Sequence, residues 1–150
     1  MRSSALALAI VVAALLAAGR AAPSYAASDG FVLICNARAA VTRLSHSEVR
    51  ALYTGKAKTL GGTAAVVVIR PDEDVPFSEF SEQVFGVPTK TLLAKIKQEV
   101  FKGEMTRPLK ATTDDDVVRH VSGSPGVIGV VSTNASVHLP STVTVIAIGG

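Results

Sequence analysis

The chain has 150 residues, of which 48% are hydrophobic, 18% charged and 5% aromatic, with one Cys and no Trp. That length suits one domain and leaves no room for two full ones, and the apolar fraction is too high for a disordered chain. The formal charge is +3 at pH 7, but without residues 1–26, which hold Arg2 and Arg20, 13 basic residues face 12 acidic ones. No Lys/Arg cluster of the kind that nucleic acid requires is visible, so that class of partner drops out.

Met1-Arg2 opens the chain with a positive charge. An uncharged, proline-free apolar run follows over Ala5–Ala18, and then Arg20, Pro23 and the small-residue stretch Ser24–Ser28. This is the three-part layout of a secretory signal peptide, with cleavage expected after Ala26. The run of about 14–15 apolar residues is short against the roughly 20 that span a bilayer. Residues 1–26 therefore read as a signal peptide and residues 27–150 as the exported mature domain.

Cys35 is the only cysteine, so no intramolecular disulfide can form. It lies in Phe31–Cys35, which reads as a buried strand, and its expected role is that of a small core residue. Ser45-His46-Ser47-Glu48 has the spacing of a capping box, with Val49, Leu52 and Tyr53 at helical intervals and Gly55 placed to end the helix. Leu60-Gly61-Gly62 reads as a turn, and Ala64–Ile69 as a strand buried on both faces.

Asp72-Glu73-Asp74 and Pro76 supply helix-start chemistry for Phe77, Phe80, Val84 and Phe85, which Gly86 closes. Thr89–Phe101 predicts a further helix, with Leu92, Leu93, Ile96, Val100 and Phe101 on its apolar side and the lysines Lys90, Lys95, Lys97 and Lys102 as a solvated face. Residues 103–110 read as loop. Thr113 and the aspartates Asp114–Asp116 introduce a short helix carrying Val117, Val118 and Val121, the acidic run serving as cap and dipole partner rather than as a metal site. A turn over Ser122–Gly126 and strands over Val127–Ser132 and Thr142–Ile148 complete the chain. Alternating strands and helices argue for one α/β layer domain.

The chemistry-bearing residues are sparse. His46, His120 and His138 stand at no metal-ligand spacing. Neither a nucleophile elbow nor a phosphate-binding glycine loop is present. No catalytic constellation, metal or cofactor is expected.

A sequence of phrases carries more. Leu44–Lys56 (LSHSEVRALYTGK) is followed by Ala65–Arg70 leading to Phe80, then by Val117–Val121 and by Ser124–Val131 with its Pro125-Gly126-Val127-Ile128-Gly129 core. In this order and spacing, over roughly residues 31–135, the chain resembles the phosphate-binding subunits of bacterial ABC importers, of the type II periplasmic-binding-protein family. In such proteins two α/β lobes close over an anion held by helix N-terminal N–H groups and by hydroxyl, Arg and Asp side chains. The resemblance implies a single lobe of that fold over residues 27–150, with a central mixed sheet flanked by helices. It also implies Ser45, Arg70 and Asp72 as ligand residues.

The family's second ligand segment resembles Arg-x-Asp-Gly-Ser-Gly-Thr-Thr-x-x-Phe. Arg70, Asp72 and Phe80 fall on that pattern, whereas Asp74-Val75-Pro76 replace the Ser-Gly-Thr donors. Pro76 has no N–H to donate, and Glu73 and Asp74 repel an anion at close range. Two readings follow. One is an exported, non-enzymatic solute-binding domain taking phosphate or a similar small anion for ABC-type uptake. The other is an interaction or assembly module on the same fold, with anion binding lost and an envelope or membrane protein, or a second copy, as partner. Residue by residue, a capping box accounts for Ser45 and a local ion pair at the helix start for Arg70 and Asp72.

Overall fold

The computed structural model describes residues 30–72 and 74–149; the expected signal peptide and its cleavage site lie outside them. Among the described residues no helix is long and apolar enough to cross a membrane.

In chain order the elements are strand β1 (Phe31–Asn36), β2 (Arg43–Leu44), helix α1 (His46–Tyr53), β3 (Thr59–Leu60), β4 (Thr63–Ala64), β5 (Val66–Ile69), α2 (Val75–Phe80), α3 (Thr89–Phe101), β6 (Leu109–Lys110), α4 (Asp114–Gly123), β7 (Val127–Ser132) and β8 (Val143–Ile148). Six strands form one sheet in the order β2-β8-β1-β7-β5-β6, and β3 and β4 make a separate hairpin. β1 runs antiparallel to both of its neighbours, β7 and β8, whereas β2 runs with β8, and β5 with β7 and β6. One central strand thus opposes five that share a direction. The carboxyl ends of those five lie along a single edge of the sheet. This is the mixed α/β architecture expected from the sequence.

Strand residues alternate between two apolar layers, as the pleat requires. Leu33, Cys35, Val67, Ile69, Ile128 and Val130 face the layer built with α1, α2 and α3. Ile34, Val68, Val127 and Val131 face the layer built with α4. Burial on both faces explains why β5 reads as an unbroken β-branched run, and β7 as one interrupted only by Gly129, rather than as alternating strands.

The local signals hold where they are strongest. Ser45 Oγ accepts from Glu48 N–H while the Glu48 carboxylate accepts from Ser45 N–H, so the capping box is complete. α3 has the expected ends, and its four named lysines are exposed. Gly129 sits in β7 directly beneath α4, where a Cβ would stand 2.6 Å from Val117 Cγ1. Gly126 has even less room, since a Cβ there would lie 1.9 Å from the Ala64 carbonyl oxygen.

The expected turn at Gly61-Gly62 is present, as the turn of the β3–β4 hairpin, with both glycines at positive φ. Three expectations need correction. The stretch 103–110 ends in a strand, β6, that pairs with β5. α4 continues to Gly123, one residue beyond the start of the expected turn. Phe101, in the last turn of α3, is 91% exposed rather than part of the helix's apolar side. The helix through Phe85 is also composite, an α-helix to Phe80 running into a π-turn over Ser81–Phe85 that Gly86 closes at φ 72°.

Candidate functional site

In open sheets of this kind, ligands sit outside the carboxyl ends of the strands, where connecting loops lead into helix N-termini. Here that edge carries Ser45 after β2, Arg70 after β5, the start of α4 after β6, and Ser132 at the end of β7. Ser45 and Arg70 belong to strands four places apart in the sheet order, which at about 4.8 Å per step separates them by roughly 19 Å. The edge therefore holds the residues implied by sequence without bringing Ser45 to Arg70.

Arg70 is the centre of the cluster. Only 4% of the residue is exposed, an uncommon burial for a charged side chain and one that requires partners. Its Nε lies 2.5 Å from Asp74 Oδ2, and its Nη1 lies 2.6 Å from Asp114 Oδ1. Nη1 also donates to the Val130 carbonyl oxygen at 3.1 Å. The Arg70–Asp74 contact is one of charges in proximity rather than of an aligned hydrogen bond, and neither of the two atoms has a hydrogen-bond partner.

The two carboxylates come from helix starts on opposite faces of the sheet. Asp74 is the N-cap of α2, its Oδ1 accepting from Phe77 N–H at 3.2 Å. Asp114 opens α4 and accepts from the Ser132 N–H (3.0 Å) and the Ser132 hydroxyl (2.6 Å) as well as from Arg70. Burial pushes the Asp114 carboxyl up. The Arg70 guanidinium and both Ser132 donors outweigh that and hold it below the ordinary carboxylate value.

Asp72 stands apart. It lies exposed in the turn after β5, and the ion pairs of Arg70 go to Asp74 and Asp114 instead. Ser45 is occupied in its capping box. Asp114 was visible in the sequence only as a helix-start residue. Its partnership with Arg70 spans 44 positions and leaves no local signal. An open cleft of about 480 Å³ borders the cluster, lined by Asp114, Asp115, Ser132, Asn134 and His138 among others. The edge is thus acidic on balance.

The remaining reactive groups are quiet. Cys35 is buried and free, and burial pushes its thiol up to about 11, away from the thiolate form that nucleophilic chemistry uses. Tyr53 is fully buried, which drives its hydroxyl well above the usual range. His120 Nε2 lies 3.0 Å from the Lys110 carbonyl oxygen. Among the described residues no group of three or more His, Cys, Asp or Glu side chains could hold a metal ion.

No protein-family model and no curated protein sequence matches the chain. Solved structures do. A protein of Clostridium perfringens described as a phosphate ABC transporter substrate-binding protein, with bound phosphate, superposes with a TM-score of 0.60 at 21% identity, covering 80% of this chain and 45% of that one. An ABC-type phosphate transport receptor from Vibrio cholerae gives 0.56 at 18% identity, covering 80% and 46%. PstS from Borrelia burgdorferi gives 0.54 at 16%, covering 80% and 47%. The chain spans less than half the length of each. The chain shares its fold with the matched part of each of these structures, which is the fold likeness that the sequence resemblance leads one to expect.

Proposed function

We propose that the chain is an exported, non-enzymatic domain of the solute-binding-protein type that uses the lobe as a protein-contact scaffold, with free-anion binding lost. Residues 1–26 act as the signal peptide, cleaved near Ala26, and residues 27–150 work in the periplasm or outside the cell, against an envelope or membrane protein or a second copy. The observation that carries this reading is the state of Arg70. Its buried guanidinium meets the carboxylates of Asp74 and Asp114 within the chain itself. An incoming anion would face both. At about 4 Å and a surface-like effective dielectric each such repulsion is about 4 kcal/mol, the size of the attraction to the guanidinium, so the cluster as a whole supplies none of the roughly −8 kcal/mol that micromolar binding needs.

The fold likeness to a structure that contains bound phosphate favours a second reading, in which the domain still takes phosphate or a similar small anion for ABC-type uptake. Calorimetric titration of residues 27–150 with phosphate, sulfate and acetate at low salt separates the two. The scaffold reading expects no saturable heat with any of them at millimolar concentration. Saturable heat that vanishes in Arg70→Ala would replace it with the uptake reading, with Arg70, and then Ser45 and Asp72, as the residues to map.

A further inference from the structure

We infer that Asp74 and Asp114 act as built-in occupants of an anion site on Arg70, so that the guanidinium is closed by the chain's own carboxylates rather than absent as a binding group. This starts from the scaffold reading above, says what closes the site, and is tested separately from it. Three observations combine. The Arg70 side chain is 5% exposed, whereas those of Asp74 and Asp114 are 25% and 28% exposed, so the carboxylates stand between the guanidinium and water. They arrive from two different helix starts, α2 and α4, which pack on opposite faces of the sheet, and they take different nitrogens of the fork, Nε and Nη1. Asp114 also borders the open cleft of about 480 Å³, which gives an anion a way in once that side chain is shortened.

Among the described residues, the charged and polar groups that meet Arg70 are Asp74 from α2, Asp114 from α4 and the Val130 carbonyl from β7, with Ser132 holding Asp114 from behind. Two carboxylates on one guanidinium is the arrangement that a bound tetrahedral oxyanion would otherwise provide, with oxygens spread over the fork. Substituting serine at both positions removes two negative charges, shortens both side chains and leaves a hydroxyl at the N-cap of α2.

The test titrates the double variant Asp74→Ser/Asp114→Ser of residues 27–150 with inorganic phosphate and with sulfate, beside wild type and beside the triple variant that adds Arg70→Gln. Circular dichroism and thermal melting establish that each is folded. The expected result is saturable phosphate binding at least tenfold tighter in the double variant than in wild type, lost in the triple variant. A folded double variant without saturable binding of either anion, or binding that survives Arg70→Gln, overturns the inference. If wild type binds phosphate but the double variant binds it tenfold tighter, the scaffold reading falls while the inference stands. Equal binding by the two overturns both. Should the double variant fail to fold, Asp74→Ser alone, which keeps the Asp114–Ser132 contacts, must gain at least threefold in phosphate affinity over wild type, and no gain overturns the inference.

Discussion

The two faces of the sheet are built differently. On one, three helices enclose an aromatic cluster: Phe80 lies 4.8 Å from Tyr53, 5.5 Å from Phe77, 5.7 Å from Phe31 and 5.9 Å from Phe85, centroid to centroid. On the other, the ten-residue α4 lies over a layer made mostly of valines, close enough that β7 must carry glycine at position 129. Large rings supply area and tolerate varied angles, whereas a thin valine layer depends on close approach. The thick face anchors the domain. The thin face, through the first residue of α4, supplies the carboxylate that closes Arg70.

This contrast can be broken at its strong side first. Phe80→Ala removes the ring common to four aromatic contacts and leaves a cavity, so a loss of about 3–5 kcal/mol is expected, read as a lower urea midpoint at unchanged slope. A loss below about 1 kcal/mol would show that the thick face does not anchor the fold.

A smaller effect is expected on the thin face. Gly129→Ala places a methyl group against Val117 Cγ1 and should cost about 1–3 kcal/mol by overpacking. Combining it with Val117→Ala should recover part of that cost, because the obstructing methyl is then gone. If Gly129→Ala alone is neutral, α4 is free to lift and the close approach is not a constraint.

The smallest effect sharpens the comparison through acid. Asp114 is held below its ordinary value of 3.8 in the folded chain, so its contribution to stability is full above that value and is lost as pH falls through the lowered one. The difference in melting temperature between wild type and Asp114→Asn should stay constant from neutral pH down to the ordinary carboxylate range. It should close only below that. A difference that already closes between pH 7 and 5 would be inconsistent with the Arg70 and Ser132 contacts.

How much of this was legible in the sequence follows from distance along the chain. The capping box at Ser45 and both ends of α3 are local arrangements, set by residues a few positions apart, and they read correctly. β2, β3, β4 and β6 have two residues each and exist only because of the partners they pair with, so no periodicity marks them. Arg70 was legible as a residue of interest at a strand-to-helix corner, and an ion pair there was expected with Asp72. The pairing went to Asp74, which caps the helix, and across the sheet to Asp114, because a buried guanidinium needs partners that reach inward while Asp72 lies in an exposed turn. Phe101 fits the periodicity of α3, but periodicity carries no information on how far along a helix its packing partners reach.

The single reversed strand also orders events in time. β1 is the first strand of the sheet to be synthesised, yet both of its neighbours, β7 and β8, lie roughly a hundred residues later. Closing so long a loop before any pairing is gained is slow relative to local folding. The middle of the sheet therefore cannot zip up on a growing chain. Until β7 and β8 emerge, Leu33, Ile34 and Cys35 have no neighbouring strand among the described residues, so the two apolar layers that they join cannot close around them.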